Sequence, residues 1–409
     1  MNVSKSIRSA LALTLCAALM SFPSCGNENS AMDIGIFEKS EPIEVVSRPL
    51  SGIDYKSIYE SRENYELCYY QESAKFSELY PGAELTRKEF VCQDETITGC
   101  SLYKHYLYLN LVGEDNVSRV IRYDLKNATE ELIFTYEGEN QMLLAGIDDK
   151  YIIWQEDENA NWLRVSLNCY DVKKGENKKF FTYARDEDGY MNINAYVYNR
   201  ILFDGDHVYF SEYDGYSAGV SAHTNLYDYD VKKDELTLVT EELWAQPIVY
   251  KGLSWVGYDS DTNEYFLKNR KNSETMPLGQ LVINLCASEK ILASLSYIDT
   301  ADRVGIMYFD GKRTYPVIRS SCTISSVGCT DRFITWRGSR NDGTLFFDIG
   351  KKRIVDVDCL ETGRDYSIMV NDEYLVLLSY DYIPDPEAGN GSAKVKSMTY
   401  YFIKISELR

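Results

Sequence analysis

The stretch GYSAG at residues 215–219 has the G-x-S-x-G spacing that presents a nucleophilic serine in many hydrolases. His223 follows Ser217 by six residues, so a serine–histidine pair is the first chemistry to consider. That arrangement requires a strand, a sharp turn and then a helix. The segment instead connects two strand-like runs, HVYFSE and NLYDYDV. We therefore predict a Gly/Ser loop here and no catalytic residue.

A second segment, from Asp259 to Asn263, has the D-x-D-x-N beginning of a calcium-binding loop. Glu264 occupies the position where that loop requires a glycine for its turn, and no distal glutamate follows in register. The cysteines and histidines also lack the short spacing of a zinc site. The sequence therefore predicts no bound metal and no cofactor.

Seven short apolar and aromatic runs recur along the chain and define the elements that would carry any site. Their starts are 38 to 56 residues apart, and an aromatic strand that ends in aspartate follows five of them. Such runs are typical of half-buried strands, and polar turns separate them. The seven runs are YLYLNL from Tyr106, YIIWQE from Tyr151, HVYFSE from His207, LSWVGY from Leu253, ILASLSY from Ile291, FITWRG from Phe333 and YLVLLSY from Tyr374.

The five aspartates at the ends of the aromatic strands are predicted to be turn residues. An aspartate that closes a strand accepts backbone N–H groups from the residues that follow it and thereby fixes the turn. This interpretation competes with a shared row of catalytic acids, which the sequence favours less. The five residues are Asp124, Asp171, Asp230, Asp310 and Asp348.

A repeat of about 45 residues with four strands is the signature of a β-propeller blade. The sequence therefore predicts an all-β chain with seven four-stranded blades over residues 101–409, although six or eight blades are alternatives. An all-β solenoid is the other architecture to consider. The seventh copy has only three strands before the chain ends, so we expect an N-terminal strand to complete it. KEFVC (88–92) is the first candidate for that strand and PIEVV (42–46) the second.

The N-terminal part of the chain resembles a bacterial lipoprotein signal. Lys5 and Arg8 precede an apolar run at residues 10–20, which is too short to span a bilayer as a helix. Cys25 follows where a lipidated cysteine is expected, and ordinary signal cleavage with a plain thiol is the alternative. We predict a signal peptide at 1–24, a tether at 25–40, an N-terminal extension at 41–100 and the propeller at 101–409. Within the extension, residues 51–85 are less regular, and DYKSIYESRENYELCYYQES (54–73) is predicted to form a short helix or part of an extra blade.

Two pairs among the ten cysteines are close enough in sequence to bridge a hairpin. The first pair is Cys92 with Cys100, and the second is Cys322 with Cys329. Disulfides persist outside the cytoplasm, where a signal peptide would deliver the chain. The alternative is that these residues are small, buried, free thiols. The sequence leaves both interpretations open.

The formal net charge of −20 restricts the classes of partner. Nucleic acid binding requires clusters of lysine and arginine, which an acidic chain of this kind lacks. We expect contact with the membrane only through the lipid anchor, because anionic lipid surfaces repel acidic proteins. The expected state is an extracytoplasmic monomer with a protein or glycan partner.

The longest connections join the second strand of a repeat to the third, or the fourth to the next repeat, so they would share one face of the propeller. Function concentrates in long loops on a rigid scaffold, and this long-loop face is therefore the predicted binding surface. Its candidate residues are Trp162, Tyr190, Tyr213, Tyr216, His223, Trp244, Tyr258, Asp259, Arg337 and Tyr382. Exposed aromatic rings with carboxylates suit either a protein interface or sugar stacking.

The aromatic-Tyr-Asp strand ends, such as RYDL, CYDV and YDYDV, resemble those of TolB-like or DUF5050-like propeller lipoproteins of bacteria. That resemblance covers about three quarters of the chain and implies the fold and a location on the bacterial cell surface. Together with the absence of a catalytic constellation, it predicts a non-enzymatic binding or scaffold protein. The alternative is a carbohydrate-binding or carbohydrate-active propeller, acting as a hydrolase or lyase.

Overall fold

The computed structural model describes most of the chain from residue 67 to residue 409. The described ranges are 67–69, 71–92, 95–113, 117–138, 142–157, 164–184, 201–214, 223–241, 243–244, 247–259, 264–271, 275–278, 282–297, 304–320, 324, 326–337, 344–361, 364, 366–384 and 393–409. In these ranges the regular elements are strands, apart from one four-residue helix and one 3-10 turn at Ile405–Glu407. No helix in the described part is long and apolar enough to cross a membrane.

Three short strands and the helix precede the repeats. They are β1 (Leu67–Tyr69), β2 (Glu72–Lys75), α1 (Phe76–Leu79) and β3 (Thr86–Val91). The three strands are consecutive in sequence, but each belongs to a different sheet.

The first compact unit comprises described residues within 87–243 and 380–402, and it contains three blades. Each blade is a four-stranded antiparallel meander in which neighbouring strands are consecutive in sequence. Blade 1 has β4 (Glu95–Tyr103), β5 (Tyr106–Gly113), β6 (Ser118–Asp124) and β7 (Thr129–Tyr136). Blade 2 has β8 (Met142–Ile147), β9 (Tyr151–Asp157), β10 (Arg164–Asp171) and β11 (Glu176–Ala184). Blade 3 has β12 (Leu202–Asp204), β13 (His207–Asp214), β14 (His223–Asp230) and β15 (Glu235–Thr240).

The second compact unit comprises described residues within 67–86, 244–379 and 403–409, and it contains the next three blades. Blade 4 has β16 (Ile248–Val249), β17 (Leu253–Asp259), β18 (Glu264–Asn269) and β19 (Thr275–Pro277). Blade 5 has β20 (Val282–Ala287), β21 (Leu292–Tyr297), β22 (Val304–Phe309) and β23 (Thr314–Ser320). Blade 6 has β24 (Ser326–Cys329), β25 (Phe333–Arg337), β26 (Leu345–Asp348) and β27 (Arg353–Asp356).

Blade 7 takes its outer strand from the N-terminal part of the chain. Its strand order is β28 (Ser367–Val370), β29 (Tyr374–Pro384), β30 (Ala393–Lys404) and then β3. Next to this pairing, the Cys92 amide donates to the carbonyl oxygen of Lys396 at 2.9 Å. The fold is therefore a β-propeller of seven four-stranded blades closed by an N-terminal strand, and both predictions are confirmed. The second candidate strand, residues 42–46, lies outside the described residues.

The remaining N-terminal strands add to two complete blades. β1 pairs antiparallel with β23 as a fifth strand of blade 5, and β2 pairs parallel with β27 as a fifth strand of blade 6. Of the two predictions for residues 54–73, the short helix is wrong for the part that the structure describes, which forms β1 and the start of β2, while α1 follows at Phe76–Leu79. The two strands extend blades 5 and 6. Part of an extra blade is therefore absent from the described residues, because the two strands are only three and four residues long and pair with existing edges.

The second strands of the blades are the centre of the packing. Ile152 and Trp154 in β9, and Val208 and Phe210 in β13, have no exposed surface. Each of these strands has a neighbouring strand on both edges and side chains packed on both faces, which explains why the sequence shows continuous apolar runs rather than strict alternation. The most buried runs are thus the ones that define the repeat in the sequence.

The aspartates that close the third strands form the predicted turns. Oδ1 of Asp124, Asp171, Asp230 and Asp310 each accepts two backbone N–H groups, from the residues two and three positions later, at 2.8–3.1 Å. Asp348 accepts one such bond, from the Lys351 amide at 2.8 Å. The turn interpretation is therefore confirmed for all five residues.

Of the two alternatives for Cys92 and Cys100, the disulfide is absent, because Cys92 is a free thiol. Cys92 follows the outer strand of blade 7, whereas Cys100 pairs with Leu109 inside blade 1, so the two residues do not share a hairpin. Burial raises the pKa of the Cys100 thiol to about 12, which keeps it protonated and unreactive. Cys322 lies outside the described residues, so both alternatives for its pair with Cys329 stay open.

Candidate functional site

Each blade has two ends that differ in their connections. At the short-turn end, the first strand turns into the second and the third into the fourth. At the long-loop end, the second strand passes to the third and the fourth leaves for the next blade. The predicted binding residues belong to the long-loop ends, and the described ones lie in blades 3, 4, 6 and 7.

An aromatic cluster lies at the long-loop end of blade 4. The ring centroid of Trp244 is 5.2 Å from that of Tyr258 and 5.1 Å from that of Tyr265, and the two tyrosine rings are 4.9 Å apart. These separations are within the range in which aromatic side chains attract one another. We call these three residues the blade 4 aromatic cluster.

Backbone pairing positions all three rings of the blade 4 aromatic cluster. The amide of Trp244 donates to the carbonyl oxygen of Val256 at 2.9 Å, which holds the segment before β16 against β17. Tyr258 and Tyr265 are directly opposite each other in the β17–β18 register. Opposed residues of an antiparallel pair are close enough for their side chains to touch. Two rings of the cluster therefore lie on paired strands, and Trp244 lies in the segment between β15 and β16, which a backbone hydrogen bond joins to β17.

Exposure within the cluster follows a gradient from solvent to core. Trp244 is 45% exposed, Tyr258 is half-buried and Tyr265 is 5% exposed. Burial, with a smaller contribution from Tyr258, raises the pKa of Tyr265 to about 12. The Tyr265 hydroxyl is consequently neutral at physiological pH and supports the more exposed rings. Asp259, the last residue of β17, is half-buried next in sequence to the cluster.

A second exposed aromatic residue lies at the long-loop end of blade 7. Tyr382 is 55% exposed and its neighbour Ile383 is 43% exposed. The ring of Tyr380 lies 6.3 Å from that of Tyr382. Between them in sequence, Asp381 accepts a hydrogen bond from the Ser397 hydroxyl at 2.9 Å, which ties β29 to β30. This end of the hairpin presents an apolar surface on a rigid pair of strands.

The structure also places the backbone of three other predicted residues. Tyr213 and His223 lie at the long-loop end of blade 3, where Asp214 pairs with His223 in the β13–β14 register. Arg337 is the last residue of β25, opposite Ser326. The other predicted residues lie outside the described ranges: Cys25, Trp162, Tyr190 and Tyr216.

Of the predicted residues, Trp244, Tyr258 and Asp259 are thus brought together in one blade. Tyr265 was missed because it was assigned only to a strand. The sequence nonetheless contains a pattern that predicts its position, since a hairpin that joins Tyr258-Asp259 to Glu264-Tyr265 places the two tyrosines opposite each other. A binding role for any of these residues stays a prediction.

The described residues contain no group of three or more histidine, cysteine or carboxylate side chains arranged to hold a metal ion. In blade 3, Nδ1 of His207 lies 2.8 Å from Oδ1 of Asp228, at the short-turn end, opposite the end that carries His223. The segment GYSAG itself connects β13 to β14 and lies outside the described residues. In the described residues, the long-loop ends of blades 4 and 7 carry exposed aromatic side chains, with carboxylates next to them in sequence.

No protein-family model matches the chain, and no curated protein sequence matches it. Solved structures do match it. The β-propeller domain of the Trilobed protease from Pyrococcus furiosus is 11% identical, with a TM-score of 0.49, over 76% of this chain and 94% of that one. The oligogalacturonate lyase from Vibrio parahaemolyticus is 14% identical, with a TM-score of 0.47, over 78% of this chain and 96% of that one.

A structure from a study of two prolyl endopeptidases is 12% identical, with a TM-score of 0.50. The match covers 79% of this chain and 51% of that one, so the chain spans about half the length of that peptidase. At this identity the likeness shows the fold alone. The chain is similar to these proteins in being a β-propeller.

Proposed function

We propose that this chain is a non-enzymatic binding or scaffold protein that holds a protein partner at the long-loop ends of its blades. The observation that carries the proposal is the blade 4 aromatic cluster. Tryptophan and tyrosine dominate the energetic centres of protein interfaces, particularly when a partly exposed ring is supported by buried neighbours. Trp244 has this arrangement, because Tyr258 and the buried Tyr265 fix its ring.

The acidic composition supports a partner with a basic surface. With a net charge of −20, the chain attracts positively charged proteins over long distances and repels other acidic ones. Electrostatic attraction of this kind accelerates association, and the aromatic anchor then slows dissociation. The predicted interaction is therefore sensitive to salt in its association rate.

Site-specific photocrosslinking in intact cells tests this proposal. A photoreactive benzoylphenylalanine replaces Trp244 in one variant and Leu132 in the other. Leu132 is a suitable control because it is 56% exposed on the outer strand of blade 1, away from the long-loop end. We expect a discrete crosslinked protein with the variant at position 244 and none at position 132. Equal crosslinking at both positions, or none at either, would contradict the proposal.

A carbohydrate ligand is the second candidate, and the position of Asp259 favours it. Sugar rings stack on exposed indoles while neighbouring carboxylates accept hydrogen bonds from their hydroxyls. Asp259 directly follows Tyr258 at the same end of blade 4 as Trp244. The same end of blade 4 thus carries both kinds of group that a sugar requires.

Binding to a panel of envelope and plant polysaccharides separates the two candidates. Saturable binding by the wild-type chain that Trp244→Ala loses and Leu132→Ala retains would support a glycan ligand. Release of shortened sugar products would then show an enzyme, which the first proposal excludes. Binding to no polysaccharide would leave the protein partner as the function.

The proposed location rests on the sequence before residue 41, which lies outside the described residues. We propose that Cys25 carries a lipid that anchors the protein on the outer side of a bacterial membrane. Replacing Cys25 with serine is expected to release the protein from the membrane fraction, because acyl chains supply the membrane affinity. A Cys92→Ser variant, which keeps Cys25, should remain in the membrane fraction. Retention of the Cys25→Ser variant there would contradict a lipid anchor.

A further inference from the structure

A cavity of about 410 Å³ opens at the short-turn ends of the blades of the first compact unit, opposite the long-loop ends. Ile147, Ile201 and Phe203 form apolar walls, and Tyr103 and Asp148 supply polar groups. Sites for small ligands in proteins have volumes of about 300–1,000 Å³, with mostly apolar walls and a few polar groups. The cavity has such a volume, but its lining is more polar, because Asp149 and Lys150 also line it beside Asp148 and the apolar residues.

Asp148 is the unusual residue of this cavity. It is 7% exposed, and its Oδ1 atom accepts N–H groups from Lys150 at 2.8 Å and Tyr151 at 2.7 Å. Within the described part of the chain, its Oδ2 atom accepts no hydrogen bond, and Oδ2 is not among the fully buried atoms that lack a partner. Oδ2 is therefore still reached by solvent, from the cavity that Asp148 lines.

The turn that contains Asp148 recurs between the first and second strands of three other blades, where a neutral side chain takes the place of the carboxylate. The amide of Asp148 donates to the carbonyl oxygen of Tyr151 at 3.0 Å, and the Asp148 side chain accepts the Tyr151 amide. Three equivalent pairs form the same turn with a neutral hydroxyl or amide side chain. These pairs are Ser288 with Ile291, Thr330 with Phe333 and Asn371 with Tyr374. A carboxylate at residue 148 is thus unnecessary for the turn.

The aspartates of the other turns have both oxygens occupied. The second oxygen of Asp124 accepts the Asn127 side-chain amide at 2.8 Å, and that of Asp171 accepts Lys174 at 3.0 Å. Although burial opposes it, hydrogen bonds hold the pKa of Asp124 and of Asp171 below the usual value. Burial raises the pKa of Asp148, and the charge of Asp149 adds to this effect, although the two backbone hydrogen bonds and the Lys150 charge oppose it.

The other charged groups near the cavity are already paired. Asp149 accepts hydrogen bonds from Tyr103 and Lys104, each at 3.2 Å. Lys150 donates to Asp206 at 2.9 Å. Asp148 is accordingly the group whose charge a ligand could neutralise, and such a ligand must be a cation.

An organic cation fits this cavity better than a metal ion. No cluster of metal-ligating side chains is present among the described residues, and one available carboxylate oxygen is too few for a divalent ion. A primary ammonium donates directly to a single carboxylate oxygen. The apolar walls then suit the carbon chain attached to it.

We propose that the cavity binds a primary alkylammonium group, with its nitrogen donating to Asp148 Oδ2 and its carbon chain against Ile147, Ile201 and Phe203. The group belongs either to a small free amine or to a lysine side chain of a partner. This site belongs to the first compact unit and shares no residue with the blade 4 aromatic cluster, so it stands or falls independently of the proposed function.

Titration of the full chain with n-butylammonium, observed by NMR of isoleucine methyl groups, tests the proposal. We expect saturable shifts at Ile147 and Ile201, and much weaker binding of the neutral isostere n-butanol. In Asp148→Asn, binding should weaken by about tenfold or more, because a charged hydrogen bond is lost. The turn itself should persist, since Asn371 forms the same one.

Asp171→Asn is the matched control, because it removes a turn aspartate whose second oxygen already has a partner and which lies outside the cavity. This variant should bind n-butylammonium like the wild type. Equal affinity of the wild type and Asp148→Asn, or equal affinity for the amine and the alcohol, would overturn the proposal. A lysine-containing peptide and its Nε-acetylated form distinguish the sources. Binding of the free-lysine peptide would assign a partner's lysine, and binding of n-butylammonium alone would assign a small amine.

Discussion

Asp348 is a turn residue that has a second role in the core of the second unit. Its side chain is completely buried, and its Oδ2 atom accepts the Tyr80 hydroxyl at 2.6 Å and Arg332 at 3.3 Å. Arg332 also donates to the carbonyl oxygens of Ile405, at 3.0 Å, and Leu408. The turn was predictable from the sequence. The residues that bond to Asp348 Oδ2 were not, because they are 16 and 268 residues away in sequence and no local pattern indicates them.

Tyr80→Phe is expected to reduce the free energy of unfolding by about 1.5–3 kcal/mol, the contribution of a hydrogen bond to a charged group. Burial raises the pKa of Tyr80, so its hydroxyl remains a donor to Asp348 at any pH of interest. Urea unfolding measures the loss. The matched control is Tyr170→Phe, which removes a bond of 3.5 Å to the Ile133 carbonyl and should cost well below about 1 kcal/mol. If both variants lose the same free energy of unfolding, the hydrogen bond from Tyr80 to the buried Asp348 carboxylate does not stabilise the fold.

Asp206 makes stability depend on pH. Hydrogen bonds from Lys232 and Lys150 hold the pKa of Asp206 far below its usual range, and the Tyr151 hydroxyl adds a third at 3.1 Å. Because the folded-state pKa is depressed, this stabilisation is present above about pH 4, the pKa of an unfolded aspartate, and is lost as the pH falls through the folded value. Asp206→Asn should therefore unfold at lower urea than the wild type at pH 7, and the difference should shrink below about pH 4.

Asp204→Asn provides the comparison for that experiment. Asp204 lies two residues earlier on an exposed position at the end of β12. Its replacement should leave the urea midpoint close to that of the wild type at both pH values. A constant difference between Asp206→Asn and the wild type across the pH range would contradict the ion-pair explanation.

At the scale of single elements, the first strands of blades 1 and 2 share a bulge that contains a glycine. The β4–β5 register shifts between Ile97 and Gly99, and the β8–β9 register shifts between Leu144 and Gly146. The two glycines differ in their surroundings. A Cβ atom on Gly146 would lie 2.7 Å from Cβ of Ile201, whereas one on Gly99 would meet its nearest atoms at 3.7 Å.

Gly146→Ala is therefore expected to destabilise the protein by about 1–3 kcal/mol, as overpacking does, while Gly99→Ala should be nearly neutral. The neighbouring atom is the branched Cβ of an isoleucine that is 7% exposed, so it has little room to move. Thermal unfolding of the two variants measures the difference. If both variants melt like the wild type, the close approach of β8 to Ile201 is not needed for stability.

Elements with strong periodicity were predictable, and very short ones were not. The second strands are recognisable in the sequence because they are buried on both faces, and their spacing shows the length of the repeat. β1 and β2 have three and four residues, and their pairing is set entirely by the exposed edges of blades 5 and 6. Two members of the blade 4 aromatic cluster, Trp244 and Tyr258, were predictable from the sequence. The cavity beside Asp148 was not predictable, because it lies among short turns for which the sequence indicates only a structural role.

At the scale of the whole molecule, the N-terminal segment links its stability to several blades. Phe76 and Tyr80 are each 1% exposed, and β3 supplies the outer strand of blade 7. A chain that begins at Glu95 lacks all of these contacts. We expect it to melt at a lower temperature and to aggregate, because β30 would expose an unpaired edge.

Phe76→Ala in the full chain separates the two causes. It removes a buried ring but keeps β3 in place, so it should cost about 3–5 kcal/mol without producing aggregation. Melting temperature and light scattering together distinguish loss of packing from loss of the edge strand. A shortened chain with the melting temperature and solubility of the wild type would contradict a structural role for residues 67–91.

The pairing of β3 with β30 also dictates when the protein can finish folding. Beside this pairing, the Cys92 amide donates to the Lys396 carbonyl oxygen, and the amide of Val395 in β30 donates to the Thr96 hydroxyl of β4 across 299 residues of sequence. During synthesis, β3 emerges before the first blade, whereas β30 emerges only after the sixth. Contacts so distant along the chain make folding slow. The nascent chain must therefore carry an open edge while blades 1 to 6 are synthesised.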